Sequence, residues 1–142
     1  MKKLLLASIL SGMVFSATAA DTIRFAASAT YPPFESIGAD NEIVGFDMDL
    51  AKALCKQMEA NCTFTNQAFD SLIPALKFKR YGAVISGMDI TPERSKQVAF
   101  SQPYYANSAI VIAPKGKFTS FADLKGKKIG MENGTTHQKY LQ

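Results

Sequence analysis

Gly82-Ala83-Val84-Ile85-Ser86-Gly87-Met88-Asp89-Ile90-Thr91-Pro92-Glu93-Arg94 compresses a strand, a loop and a helix start into one short stretch. Ala83-Val84-Ile85 is a continuous apolar run, the pattern of a strand buried on both faces of a parallel sheet. Thr91 has a side-chain oxygen that can cap a helix, and Pro92 stands at the first helical position, where a missing N–H costs least. Between them lies Ser86-Gly87-Met88-Asp89. In parallel α/β sheets, ligands bind beyond the carboxyl ends of strands and at helix N-termini. Ser86, Gly87, Met88, Asp89 and Arg94 are therefore candidate site residues.

The same alternation extends in both directions. Ile23–Ala27 reads as a strand, and the consecutive prolines of Tyr31-Pro32-Pro33-Phe34 force extended backbone. Gly38–Glu42 is a polar turn joining two short extended pieces. Gly45-Phe46-Asp47 opens a helix for which Asp47 is the expected cap. Leu50, Ala51, Leu54, Cys55 and Met58 share one face of it, with Lys52, Lys56 and Glu59 opposite. Thr63–Thr65 is a strand, and Asp70 is expected to cap a helix through Leu72, Ile73, Leu76 and Lys77. Val98–Phe100, Ala109–Ala113 and Lys128–Met131 read as further strands, Phe121–Leu124 as a short helix, and Asn133–Thr136 as the turn into a last helix. Alternating strands and helices imply an α/β protein with a mostly parallel sheet.

Of the 142 residues 47% are hydrophobic, and the net charge is +4, which excludes a disordered chain. The N-terminus has the layout of a secretory signal peptide: basic Lys2-Lys3, an apolar run from Leu4 to Phe15, and the small residues Ala17-Thr18-Ala19-Ala20. Cleavage is expected after Ala19 or Ala20, and the apolar run is short for a membrane span. Removing Lys2 and Lys3 leaves 14 basic against 12 acidic side chains, too even a balance for nucleic-acid binding. In an exported protein, Cys55 and Cys62 read as a disulfide, since a redox pair is more commonly Cys-x-x-Cys. Two cysteines and one histidine argue against a metal site, and no cofactor is expected.

Tyr31, Phe69 and Thr136 also follow strands or open helices, and should gather with the first group around one cleft. The mixture suits a small zwitterion. Arg94 offers a planar fork for a carboxylate. The Ser86 hydroxyl and the helix start at Thr136 add donors, Tyr31 and Phe69 can stack on a flat cation, and Asp89 can meet its charge. Phosphate-cradle and nucleophile-elbow motifs are missing. Asp89 and Glu132 are the acids in this stretch that an enzyme on the same fold would have to use.

These residues resemble those of periplasmic polar amino acid-binding proteins of ABC transporters, the solute-binding protein family 3. Gly-Phe-Asp-Met-Asp-Leu-Ala-Lys-Ala-Leu at 45–54 looks like that family's signature. Tyr-Pro-Pro-Phe-Glu at 31–35, Phe-Asp-Ser-Leu-Ile-Pro at 69–74, Gly-Met-Asp-Ile-Thr-Pro-Glu-Arg at 87–94 and Asn-Gly-Thr-Thr at 133–136 follow in the family's order. Within it, the arginine-binding members are the most similar. The resemblance implies a periplasmic-binding-protein type II fold, two α/β lobes closing on an amino acid. It implies a signal peptide over 1–19, a nearly complete first lobe over 20–107, and a truncated start of the second over 108–142. Its carboxylate-binding arginine falls on Arg94, its hydroxyl donors on Ser86 and Thr136, its stacking aromatics on Tyr31 and Phe69, its disulfide on Cys55 and Cys62. Backbone around Gly87 and Asp89 also faces the ligand in relatives. Relatives often carry an acid where this chain has Ser28, and Asp89 is expected to supply the missing charge.

The function implied is a periplasmic, monomeric receptor that binds arginine or a related cationic amino acid and delivers it to an inner-membrane ABC permease. The alternatives are a cyclohexadienyl dehydratase-like enzyme and the sensing domain of a membrane receptor. With so much of the clamp outside these residues, millimolar affinity is expected of them alone, about −4 kcal/mol. The cysteine reading carries its own test. Replacing both Cys55 and Cys62 by serine is expected to lower the unfolding free energy by about 2.5 kcal/mol, from the short loop they close. Urea unfolding reads this directly, and an unchanged midpoint would refute a structural bridge.

Overall fold

The computed structural model describes residues 22–142; the signal peptide and cleavage site expected from the sequence lie outside the described residues. The chain begins with β1 (Thr22–Ala27), β2 (Thr30–Tyr31), β3 (Glu35–Ile37) and β4 (Ile43–Val44). It continues through α1 (Phe46–Gln57), β5 (Asn61–Asn66), a 3₁₀ turn (Phe69–Ser71), α2 (Leu72–Lys77) and β6 (Ala83–Val84). Last come α3 (Pro92–Ser95), a second 3₁₀ turn (Phe121–Leu124) and α4 (Thr136–Leu141). Two sheets result. The parallel one has the order β5-β1-β6, with Phe25 beside both Phe64 and Ala83. The antiparallel one, β2-β3-β4, is a small meander whose Gly38 N–H donates to Glu42 O at 2.8 Å, the expected polar turn.

The core lies between the parallel sheet and α1. Phe25, Ala27 and Ile85 come from the sheet side, Met48, Ala51 and Cys55 from the helix, and Ile43 closes one edge. The buried stripe of α1 is therefore not the one periodicity indicated: Ala51 and Cys55 are inside, but Leu54 and Met58 are about half exposed. The Cys55–Cys62 disulfide supplies the reason. It ties α1 to β5 with a Cα–Cα distance of 6.3 Å, so the flank carrying Met48, Ala51 and Cys55 faces the sheet.

Two expected caps are also corrected. α1 starts without any side-chain cap; the Phe46 and Asp47 N–H groups donate instead to the carbonyls of Pro33 and Phe34, both at 3.0 Å. Asp70 caps nothing either, since it lies inside the 3₁₀ turn that precedes α2. Thr91 does cap α3, accepting the Arg94 N–H at 3.2 Å, with Pro92 in the first turn.

Among the described residues, Val98–Phe100, Ala109–Ala113 and Lys128–Met131 form no strand. A strand exists only through ladder bonds to a neighbour, and these runs have none. Ile110 and Ile112 are 78% and 87% exposed, so their apolar pattern meets no sheet here. Among the described residues, no helix is long and apolar enough to cross a membrane.

Gly45 shows how closely α1 docks. Its φ of 126° lies in the region that favours glycine, and a Cβ there would run into the Phe34 carbonyl that receives Asp47. Gly45→Ala is expected to destabilise the protein by about 2–3 kcal/mol, combining backbone strain and a lost helix start. Chemical denaturation measures it, and a loss below about 0.5 kcal/mol would contradict the docking argument.

Candidate functional site

The carboxyl ends of β1 and β6, the start of α3 and the segment leading into α4 meet at a cleft of about 190 Å³. It brings together Tyr31, Phe69, Ser86, Gly87, Asp89, Arg94 and Thr136 from the sequence reading, and adds Ser28, Thr30, Glu35 and Glu132. Met88 lies elsewhere, lining a neighbouring groove of about 500 Å³ that Tyr31, Gly87 and Asp89 share.

Arg94 is held by backbone. Its guanidinium donates to the carbonyls of Asp89 at 2.7 Å and Gly134 at 2.9 Å, and its Cζ lies 5.4 Å from the Phe69 ring centroid. Two carbonyls and a ring face thus fix a planar cation at the cleft without consuming its charge. Partial burial pulls its pKa down from the usual guanidinium value, and the Asp89 carboxylate opposes that shift. The Asp89 side chain itself accepts the Thr136 hydroxyl at 2.6 Å.

A second group of polar residues is built on the ends of β1 and β6. The Ser86 hydroxyl receives the Ser28 N–H at 2.9 Å and donates to Glu35 Oε1 at 2.7 Å. Glu132 reaches in from the segment before α4, its Oε1 accepting the hydroxyls of Thr30 at 2.8 Å and Ser28 at 3.2 Å. Tyr31 forms an aromatic wall, stacked on Phe34 with centroids 5.0 Å apart. Gly87 leaves room for it: φ is +49°, and a Cβ would stand 3.1 Å from the Tyr31 ring.

Asp47 lies behind this group, fully buried, accepting the Gly87 N–H at 2.8 Å and the Tyr104 hydroxyl at 3.0 Å. Burial and the adjacent carboxylate push the Tyr104 phenol well above its ordinary range, so it stays a donor. Glu35 was not singled out by sequence. Its one signal was an acid directly after Tyr-Pro-Pro-Phe, at the edge of an apolar stretch. Asp47 has a cap's place in the sequence but is a buried anchor in the fold. Among the described residues, no group of three His, Cys, Asp or Glu side chains is placed to hold a metal ion.

Parallel strands ending at a cleft, with a fixed guanidinium among hydroxyls, carboxyls and aromatic walls, define an α/β protein whose cleft has the chemistry to suit a small polar molecule. Comparison with known proteins makes this specific. The chain matches the bacterial extracellular solute-binding proteins, family 3, over residues 23–136, and it belongs to that family. It is 75% identical to the ABC transporter arginine-binding protein 1 of Escherichia coli over 142 residues, all of this chain and 58% of that protein. It is 55% identical to the arginine-binding periplasmic protein of Mannheimia haemolytica, over 99% of this chain and 56% of that one. A solved Salmonella typhimurium periplasmic binding protein, described for high arginine specificity, superimposes with a TM-score of 0.84 at 64% identity, covering 87% of this chain and 55% of the other. The fold is the periplasmic-binding-protein type II fold, and the chain spans little more than half the length of the relatives it matches.

Glu35 yields a pH prediction. Burial, opposed by the Ser86 hydroxyl and reinforced by the Asp47 carboxylate, raises it from the ordinary 4.5 to about 8. Between those values the folded protein keeps a proton that the unfolded chain releases. The contribution is therefore full below about pH 4.5 and is lost as pH rises towards about 8. Glu35→Gln is expected to gain stability relative to the parent as pH climbs through that window. Calorimetric melting across it reads the difference, and a constant offset would show that Glu35 is ionised in the fold.

Proposed function

We propose that these residues form one side of the ligand cleft of a periplasmic receptor for a cationic amino acid, arginine foremost, that carries its ligand to an inner-membrane ABC permease without transforming it. The observation that carries this reading is Arg94. Backbone carbonyls of Asp89 and Gly134 occupy part of its donor fork, and the remaining N–H groups suit a ligand carboxylate. Tyr31 and Phe69 supply faces for an extended side chain, and Ser86 and Thr136 supply hydroxyls. The relatives named above are binding proteins for arginine, which supports carriage rather than catalysis.

On this reading residues 20–107 make the first lobe and 108–142 open the second. The segment after residue 131 lies across the site as a second lobe would: Arg94 reaches Gly134, Asp89 reaches Thr136, and the exposed Glu93–Lys139 ion pair at 2.7 Å joins α3 to α4. That ion pair is solvated, so water and salt screen it and it adds little to stability.

The test uses a chimera in which the remainder of the E. coli relative follows Gln142. Titration calorimetry against the twenty amino acids and cyclic carboxylic acids is expected to give tight binding of arginine. Arg94→Met is expected to weaken it at least roughly 100-fold, the loss of a charge-assisted bidentate contact. No heat with any amino acid, or full affinity in Arg94→Met, would sink the receptor reading.

A further inference from the structure

At the opposite end of the strands that bear the cleft, cations surround one exposed ring. β1 and β6 run parallel and reach the cleft with their carboxyl ends. Arg24 lies near the start of β1, and Lys77, Phe78, Lys79 and Arg80 form the end of α2 and the turn after it. These parts are joined directly. The Arg24 guanidinium donates to the Lys79 carbonyl at 3.2 Å, and the Gly82 N–H donates to the Arg24 carbonyl at 2.8 Å. Lys77 Nζ donates to Gln97 Oε1 at 3.3 Å, which ties the end of α2 to the segment after α3.

The turn itself is tightly built. The Lys79 N–H donates to Leu76 O at 2.9 Å and the Arg80 N–H to Ala75 O at 3.0 Å, the pair of bonds that closes a helix through a left-handed residue. That residue is Lys79, with φ of 57°, where glycine is the ordinary occupant. Phe78, Lys79 and Arg80 are all exposed on this fixed knuckle, Phe78 at 80%. The positive charges around the ring are not neutralised. No acid occurs in the sequence between Asp70 and Asp89, and the only ion pair among the described residues is Glu93–Lys139.

Uncompensated cations around a protruding apolar ring match a surface that is negative and that yields. An anionic phospholipid bilayer is both: its headgroups attract Lys and Arg, and its interface takes up an aromatic ring. A folded acidic protein has the charge, but it needs a preformed hollow for Phe78 within a complementary face of about 1,000 Å². Nucleic acid is disfavoured by the even charge balance of the chain. We propose that Phe78, Lys79 and Arg80, flanked by Lys77 and Arg24, form a docking surface for an anionic phospholipid membrane. Phe78 enters the interface, and the cations meet headgroup phosphates. Because this patch and the cleft stand at opposite ends of the parallel strands, contact with a bilayer does not obstruct the cleft. Membrane contact and ligand binding are separate properties, so the proposal stands independently of the receptor reading.

The experiment floats the chimera with vesicles of phosphatidylglycerol mixed with phosphatidylcholine, and with phosphatidylcholine alone. The chimera begins at Asp21, so that the apolar N-terminal run is absent. It is expected to float with the anionic vesicles only, and to be released by about 0.5 M salt. Lys79→Gly combined with Arg80→Gln is expected to weaken vesicle binding on the order of tenfold. Glycine suits the left-handed position, so the melting temperature of this variant is expected to hold, which separates lost binding from lost folding. Phe78→Ser is expected to weaken binding about 3-fold or more. Phe78→Trp, read as a difference from the parent, is expected to shift its emission to the blue on anionic vesicles. Arginine titrations are expected to be the same in every variant. Absence of flotation with anionic vesicles, or flotation undiminished by the paired Lys79 and Arg80 changes, overturns the proposal. Flotation unchanged in Phe78→Ser, with soluble polyglutamate bound as tightly as vesicles, assigns the patch to an acidic protein and overturns it as well. A parent chimera that floats but binds no amino acid refutes the receptor reading and supports this one.

Discussion

The buried carboxylate of Asp47 joins three parts of the chain that sequence keeps far apart. It sits in the first turn of α1, where the helix dipole favours negative charge, and it accepts the Gly87 N–H and the Tyr104 hydroxyl. A carboxylate this far from water is tolerable only while such donors remain in place. The start of α1, the loop after β6 and the segment at Tyr104 are therefore coupled. That loop carries Ser86, Gly87 and Asp89, so the shape of the cleft depends on the anchor beneath it. The same logic explains why α1 needs no side-chain cap: the carbonyls of Pro33 and Phe34 accept its first N–H groups, and Gly45 is the residue that lets them approach.

Charge in the cleft is separated. A guanidinium is fixed on one group of residues by backbone carbonyls and the face of Phe69. Two carboxyl side chains are fixed on another by serine and threonine hydroxyls. Arg94 and Glu132 each bond across the cleft to the opposite segment, so the polar groups that line the cleft are also the ones that hold the two segments together.

Much of this was legible in the order of residue types. The alternation of apolar runs with capped helix starts implied a parallel α/β sheet, and the post-strand positions Tyr31, Phe69, Ser86, Gly87, Asp89, Arg94 and Thr136 do line one cleft. Thr91 and Pro92 start α3 as local chemistry requires. What failed depended on partners distant in the chain. Leu54 and Met58 share a helical face with Cys55, but the disulfide to Cys62 turns a different flank inward. Ala109–Ala113 has the composition of a strand, but a strand is a relation between two backbones. Asp47 has the position of a cap, and only the fold supplies Gly87 and Tyr104 as its partners.

Sequence alone determined which residues are chemically able to act: one arginine at a helix start, aromatics after strands, two cysteines a short loop apart, and glycines where the backbone turns left-handed. Those properties are local, set by side-chain type and by neighbours within a few positions. Tertiary structure decided which of those residues meet. It brought Glu132 to Ser28, enclosed Glu35 among other acids, and placed Asp47 under the loop after β6. Proximity across a hundred residues, and the burial that moves a carboxyl's proton affinity, arise only when the chain closes on itself.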